Sequence, residues 1–328
     1  MGPGAAKRQP DDRPARDRRP RRPAALAVVG AASSTASRRW VDTLLAWYFV
    51  SIWGSGYLAT KVGIQYAAPF TFLSLRYAFG LMCLMPVLLW LRPPWPASRR
   101  ELAHVIVAGL LMHGIQLSGS HYAQYLGLSA GIVALILAVQ PLLTAMVARR
   151  WLHERLVPRQ WTGVALGLAG VLLVVWHKID VREMTLGALV AVTLSLAGVT
   201  AGTLYQRVFC PSVNLYSAAW VQFAASLVLL APLAFAVEGA QVTWSWALFA
   251  SIAFLVILAS IFAVNALHTL MRHGQATKVT SILYLTPIFA VVLEYLMFDV
   301  MPSALTIAGI VVTCLGVSLV TAATRPHP

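Results

Sequence analysis

Charged side chains are scarce in this sequence. Only 11% of the 328 residues are Asp, Glu, Lys or Arg, whereas a soluble domain has about 25%. Hydrophobic residues make up 59% of the chain and occur in long runs, not in a period-2 or narrow amphipathic pattern. So few charges cannot cover a soluble surface, and the sequence therefore indicates an all-α polytopic membrane protein.

Acidic residues are the rarer charge, and the formal net charge is +14. Residues 1–40 hold ten Lys/Arg against three Asp, and most other basic residues lie between apolar runs. The positive-inside rule accounts for this distribution, so the charge does not point to nucleic acid as a partner. We predict that residues 1–40 form a disordered, basic cytoplasmic tail.

Several chemical signatures are missing as well. The three cysteines lie far apart without metal-ligand spacing, and the sequence has no P-loop, nucleotide-binding glycine fingerprint, nucleophile elbow or HExxH pattern. No metal or cofactor is therefore expected, and ATP-driven transport by this chain alone is disfavoured. An intramembrane lipid-modifying enzyme would need clustered carboxylates, and acidic groups are too sparse for one. A non-transporting membrane scaffold remains an open alternative.

Ten apolar runs are long enough to cross the hydrocarbon core as helices. They cover residues 42–60, 70–91, 103–124, 128–148, 158–176, 185–206, 215–236, 245–268, 277–298 and 303–322. Arg-rich connectors alternate with connectors that have few Arg and hold Asp180, Glu183, Glu238 and Asp299, so both termini are predicted to be cytoplasmic in the cell membrane.

Shifting the sequence by 146 residues superimposes several prolines and glycines of the two halves. The matched pairs are Pro86 and Pro232, Pro141 and Pro287, Gly163 and Gly309, and Gly170 and Gly316. Each half has five spans, and an odd number inserts the second half upside down. This predicts ten transmembrane helices arranged as two inverted five-helix repeats, with the substrate site between them near the middle of the membrane.

Residues 139–175 (VQPLLTAMVARRWLHERLVPRQWTGVALGLAGVLLVV) resemble the fourth and fifth helices of EamA-type proteins of the drug/metabolite transporter superfamily. The matching elements are Pro141, Glu154, Gly163 and Gly170. Similarity extends over about residues 42–322, which implies EamA-like repeats at 41–180 and 181–324. At the second-half equivalent of Glu154 stands Val300, which is a departure from the family pattern.

Polar residues within the apolar runs are the candidates for substrate binding or coupling. They are Arg76, Gln116, Gln140, Gln222, Asn265, Tyr284 and Glu294. Glu294 is expected to line the outer half of a substrate cavity with Arg76 as its cationic partner, although a plain interfacial carboxylate is almost equally favoured. Polar side chains also join membrane helices, and Lys61 fits an interfacial anchor.

These features together predict a secondary transporter or exporter of small organic metabolites, amino acids or drug-like compounds. The implied partners are the lipid bilayer and a small-molecule substrate. Substrate identity, direction, coupling by a proton and assembly as a homodimer stay open.

Overall fold

The computed structural model describes residues 2, 24–151, 157–180, 184–263, 266 and 285–322. The described residues form helices and connecting turns, with one isolated antiparallel β-bridge between Ala67 and Val242. In chain order the α-helices are α1 (Ala24–Gly63), α2 (Pro69–Leu91), α3 (Arg99–Gly109), α4 (Gln116–Tyr125), α5 (Ala130–Leu137), α6 (Gln140–Trp151), α7 (Pro158–Asp180), α8 (Leu186–Phe209), α9 (Leu215–Glu238), α10 (Trp246–Ala253), α11 (Thr286–Phe298) and α12 (Ala304–Ala322).

The structure confirms an all-helical chain with multiple membrane spans. Within the described residues, six helical stretches are long and apolar enough to cross a bilayer: Pro69–Leu91, Arg99–Tyr125, Ala130–Arg150, Leu186–Phe209, Leu215–Glu238 and Trp246–Ala263. Each coincides with a predicted span. Helices α1, α7, α11 and α12 overlap the other four predicted spans. The total of ten membrane spans stays a prediction.

Part of the predicted tail at residues 1–40 lies in the first helix, and the disorder of the tail stays a prediction. Helix α1 begins at Ala24, inside the segment 1–40. Its first residues, AALAVVGAA, are rich in alanine, which has the highest intrinsic helix propensity. Residues 3–23 lie outside the described part of the chain.

Two spans contain π-helical turns. Residues Leu110–Ile115 connect α3 to α4, and residues Phe254–Ala263 continue α10. A shift of 146 positions moves the first segment to 256–261, inside the second. A π turn widens the helix and frees backbone groups, and such turns are frequent at functional sites.

The glycines of the predicted motif form the contact between α7 and α12. A Cβ at Gly170 would lie 2.5 Å from Thr313 Oγ1 and 2.7 Å from the Gly309 carbonyl oxygen, and a Cβ at Gly316 would lie 2.6 Å from the Gly163 oxygen. Because the contacts pair 163 with 316 and 170 with 309, the two helices run antiparallel. Their backbones approach closely only because these positions lack side chains.

The contact between α2 and α9 also pairs residues 146 positions apart, but large side chains form it. The rings of Tyr77 and Phe223 pack with centroids 5.4 Å apart within a cluster that also contains Leu84 and Leu230. Both Tyr77–Phe223 and Leu84–Leu230 are pairs separated by 146 positions. Helix α2 therefore packs against the helix that the repeat assigns as its counterpart.

The two predicted motif prolines begin helical segments. Pro141 is the second residue of α6, directly after the break that separates α6 from α5, and Pro287 is the second residue of α11. Proline is favoured at these positions because the first backbone N–H groups of a helix have no intrahelical acceptor. Glu154 lies outside the described residues.

Candidate functional site

A cavity of about 640 Å³ opens between helices of both halves of the chain. This volume lies within the range of about 300–1,000 Å³ that is usual for small-molecule sites. Its walls include residues from α1, α2, α4, α8, α9 and both π-helical segments. Four of the predicted site residues line it: Arg76, Gln116, Gln140 and Gln222.

The remaining predicted site residues have other positions. Glu294 lines a separate, smaller pocket of about 240 Å³. Asn265 and Tyr284 lie outside the described residues. The large cavity is also lined by Thr60, Ser120 and Gln206, which were not predicted from the sequence. The available signal for them was weak, since a single hydroxyl or amide in a span usually joins helices.

Arg76 supplies a permanent positive charge to the large cavity. It follows Pro69 by seven positions, which corresponds to about 10 Å along α2 at 1.5 Å per residue. Its Nη2 atom is 3.4 Å from the Ser260 hydroxyl on the second π-helical segment. No Asp or Glu occurs among the described residues that line this cavity.

Several polar side chains of the cavity have incomplete hydrogen bonding. Both amide atoms of Gln124 are buried without a partner in the described structure, and so is Nδ1 of His113. By contrast, His121 contacts Thr60 at 3.4 Å and Ser120 at 3.2 Å. Buried polar atoms are normally hydrogen-bonded, so the free groups of Gln124 and His113 are candidates for contact with a ligand.

Gln140 and Gln222 serve partly as links between helices. The Gln140 amide donates to Thr203 at 3.2 Å, and the Gln222 amide donates to Gln206 at 3.4 Å. These contacts fit the predicted alternative in which polar side chains join membrane helices. Both residues nevertheless retain a position on the cavity wall.

Glu294 is paired with Lys61, and the predicted Arg76 partner is wrong. The Lys61 ammonium lies 2.6 Å from Glu294 Oε1, and the Glu294 side chain is 3% exposed. The carboxylate also accepts the backbone N–H groups of Ala130 and Gly131, at 3.0 and 2.9 Å. It therefore occupies the positive N-terminal end of α5, where an anion is stabilised by unpaired N–H groups. Lys61 is accordingly an ion-pair partner and not a plain interfacial anchor.

A second carboxylate makes the same kind of contact at another helix start. Glu238, the last residue of α9, accepts the backbone N–H groups of Phe70 and Thr71 at 2.9 and 2.8 Å, and the Thr71 hydroxyl at 2.8 Å. The α2 N-cap residue, Ala68, makes no side-chain cap. In both cases a carboxylate from the second half caps a helix of the first half.

Comparison with known proteins agrees with this architecture. The EamA-like transporter family matches the chain twice, at residues 43–176 and 185–322. The chain is 27% identical over 243 residues to the inner membrane transporter YedA of Escherichia coli K12, covering 74% of this chain and 78% of that protein. It is 24% identical over 284 residues to the transporter YvbV of Bacillus subtilis, covering 84% and 90% of the two chains.

Two further similarities support less, because one covers under half of each chain and the other shows the fold alone. A probable amino-acid metabolite efflux pump of Escherichia coli K12 is 27% identical over 150 residues, which cover 44% of this chain and 46% of that one. A solved crystal structure matches the fold with a TM-score of 0.59 and 20% identity, covering 87% of this chain and 99% of the other. The double match over most of its length identifies this multi-pass membrane transporter as a member of the EamA-like transporter family.

Proposed function

We propose that this protein is a secondary transporter that exports small organic metabolites through the large cavity. The observation that carries the proposal is the position of this cavity between the two family matches, with walls from both. A similar protein that is described as a probable amino-acid metabolite efflux pump supports both the direction and the size of the solute. No catalytic role is assigned to the chain, in keeping with its transporter relatives.

The proposed architecture is ten spans in two inverted repeats, at residues 41–180 and 181–324. The antiparallel contact of α7 with α12 supports it, since inverted five-helix halves place the fifth and tenth spans in opposite directions. The hydrogen bond between Thr313 and the Gly167 carbonyl, at 3.4 Å, joins residues 146 positions apart, as does the ring contact of Tyr77 with Phe223. Corresponding residues touch each other only at a pseudo-twofold axis, so both pairs favour this symmetry.

The proposed orientation puts both termini in the cytoplasm, because the Lys/Arg-rich connectors are expected on the cytoplasmic side. In this orientation the two carboxylate-capped helix starts lie at the outer face. The cavity lining reaches Gln206 and Tyr216, which flank the connector on the predicted inner face. The structure then corresponds to a state closed toward the outside, as alternating access requires for one half of a transport cycle.

The outer-face contacts are proposed to act as a latch between the halves. In this latch, Glu238 accepts backbone N–H groups at the start of α2. Glu294 pairs with Lys61 and accepts backbone N–H groups at the start of α5. A shift of 146 positions relates Glu238 to Arg92 and Glu294 to Ala148, neither of which can cap a helix start. The latch therefore has no counterpart at the positions that the repeat assigns to the inner face.

The helix start equivalent to that of α2 is capped locally. Asn214, the repeat equivalent of Ala68, is the N-cap residue of α9, and its side chain accepts the Tyr216 N–H at 2.9 Å from within its own half. Opening the inner face thus breaks no carboxylate cap at this position, whereas opening the outer face breaks the Glu238 cap. This asymmetry favours the outward-closed state at rest. Transport energy is proposed to come from an ion gradient or from the substrate gradient.

Flux from proteoliposomes tests the proposal. Vesicles that contain the purified protein are loaded with equal concentrations of amino acids, short organic acids and amines, and release is followed by mass spectrometry. We expect at least one solute to leave several-fold faster than from protein-free vesicles. If every solute left the two kinds of vesicle at the same rate, the transport proposal would be contradicted. Metabolites of cells and medium, compared with and without the gene, test the direction.

A further inference from the structure

Among the described residues, no Asp or Glu provides Arg76 with a counter-charge. The chain has 11 Asp and Glu residues in all. None of those described lines the large cavity, and the undescribed segment 264–284 contains neither Asp nor Glu. Glu294, the predicted partner, is already held by Lys61 and two backbone N–H groups. Arg76 is therefore a cation within the membrane span whose hydrogen-bond partner among the described residues is a hydroxyl at 3.4 Å.

Such a cation has a chemical consequence for the cavity. Arginine within a membrane span usually pairs with an acidic group or faces water, because its charge is costly in hydrocarbon. The guanidinium offers a planar fork of donors that matches a carboxylate through two parallel hydrogen bonds. The described lining residues include one Arg and no carboxylate, so the cavity carries a positive charge that can bind an organic anion.

The rest of the wall is suited to an amphiphilic solute. Trp53, Tyr57 and Phe223 supply aromatic surface. The free amide of Gln124 can both donate and accept a hydrogen bond. A compact polyanion would find only one arginine among the described lining residues and a largely apolar surround, so the wall favours a single carboxylate on an apolar body.

We propose that the substrate is an organic monocarboxylate or an amino-acid zwitterion, whose carboxylate binds Arg76 while Gln124 contacts a second polar group. Aromatic side chains of the cavity hold the apolar body. This substrate class rests on the proposed function, in that it takes the cavity as the transport site. Lys61 has no part in binding, because its ammonium is engaged by Glu294.

Binding of a matched series of small molecules to the full-length purified protein tests the substrate class. The probes are 3-phenylpropanoate, 3-phenylpropanamide and 3-phenylpropylamine, which share a carbon skeleton and differ in charge, with phenylalanine and hexanoate as further carboxylates. Affinity is measured by calorimetry. We expect at least one carboxylate to bind about tenfold or more tightly than the amide and the amine, as loss of a charge-assisted pair implies.

Variants separate the role of Arg76 from charge in general. Arg76→Gln should remove the preference for carboxylates, and Arg76→Lys should retain part of it, because a point charge remains but the fork is lost. Arg99→Gln is the matched control, since Arg99 is exposed at the start of α3, away from the cavity, and this variant should bind as the wild type does. If Arg76→Gln fails to fold, the Lys variant and the wild-type series still decide the outcome.

The remaining outcomes overturn the substrate class. They are equal or tighter binding of the amine or amide, an unchanged preference in a folded Arg76→Gln protein, and failure of all the carboxylates to bind. Failure of the transport proposal is a different result. If carboxylates bind in an Arg76-dependent way but do not cross the vesicle membrane, the substrate class is supported and the transport proposal is contradicted. If the vesicles release only amines, the transport proposal is supported and the substrate class is contradicted.

Discussion

Glu294→Gln is predicted to weaken closure of the outer face. The Glu294 side chain is 3% exposed, and its carboxylate accepts three donors: the Lys61 ammonium and the N–H groups of Ala130 and Gly131. Glutamine keeps the size and one carbonyl oxygen, so one N–H remains bonded. The substitution removes the charge and leaves Lys61 with no carboxylate partner at this site.

The expected cost follows from these contacts. Removal of one partner of a fully buried ion pair costs about 3–5 kcal/mol. The Lys61 side chain is 24% exposed and can recover part of its hydration, so about 2–3 kcal/mol is a better expectation here. Because about 1.4 kcal/mol corresponds to a factor of ten, the ratio of outward-open to outward-closed protein should rise about 30- to 150-fold.

Thiol labelling measures this ratio. Ser120→Cys places a near-isosteric thiol on the cavity wall, where Ser120 is 3% exposed, in a background without the native cysteines. An impermeant reagent added outside should label it slowly, and at least tenfold faster when Glu294→Gln is also present. Asp299→Asn is the control, because Asp299 is an exposed carboxylate on the same predicted face and asparagine tolerates its positive φ of 54°.

A double variant separates the ion pair from the helix cap. Lys61→Met together with Glu294→Gln should cost less than the sum of the two single changes, since no charge is stranded in the double variant. Labelling at position 120 that stays within about twofold of the background in Glu294→Gln would refute the latch, as would an equal increase caused by Asp299→Asn.

Two other predictions address the architecture. Gly170→Leu should abolish recovery of monodisperse protein in size-exclusion chromatography, because a Cβ alone would lie 2.5 Å from Thr313 Oγ1; normal recovery would contradict the α7–α12 contact. Single cysteines at Gln241 and Arg100, both exposed, test orientation in intact cells. The impermeant reagent should label position 241 and spare position 100, and the opposite pattern would invert the topology.

The sequence predicts the spans and the glycine motif well, for a clear physical reason, but it did not predict which helices the glycines bring together. Hydrophobic length alone defines a span, and small residues seven apart on an apolar helix mark a face that a neighbour can approach closely. Gly163 and Gly170 were therefore recognisable before the structure, and the structure brings them to Gly316 and Gly309. Arg76 was selected only as a polar residue within an apolar run, and it lies on the wall of the large cavity.

The ion-pair partner of Glu294 could not be predicted from the sequence. Helical periodicity gives the depth and face of a side chain but not the neighbour that this face meets. Both Lys61 and Arg76 lie in the first half near the same predicted face, and only the packing of α11 against α1 and α5 brings the carboxylate to Lys61. The π-helical turns were also missed, because they change the hydrogen-bond pattern without an evident change in composition.

The central claim is that solutes cross the membrane through the large cavity, and one pair of substitutions tests it most directly. Gly56 lines this cavity, and an added Cβ would lie 3.6 Å from Leu255, which is an ordinary contact. Gly56→Ala should therefore release the fastest wild-type solute from proteoliposomes at near the wild-type rate. Gly56→Trp, or Ala219→Trp on another wall if the first does not fold, should stop release in monodisperse protein. Release at the wild-type rate by the folded tryptophan variants would contradict the account.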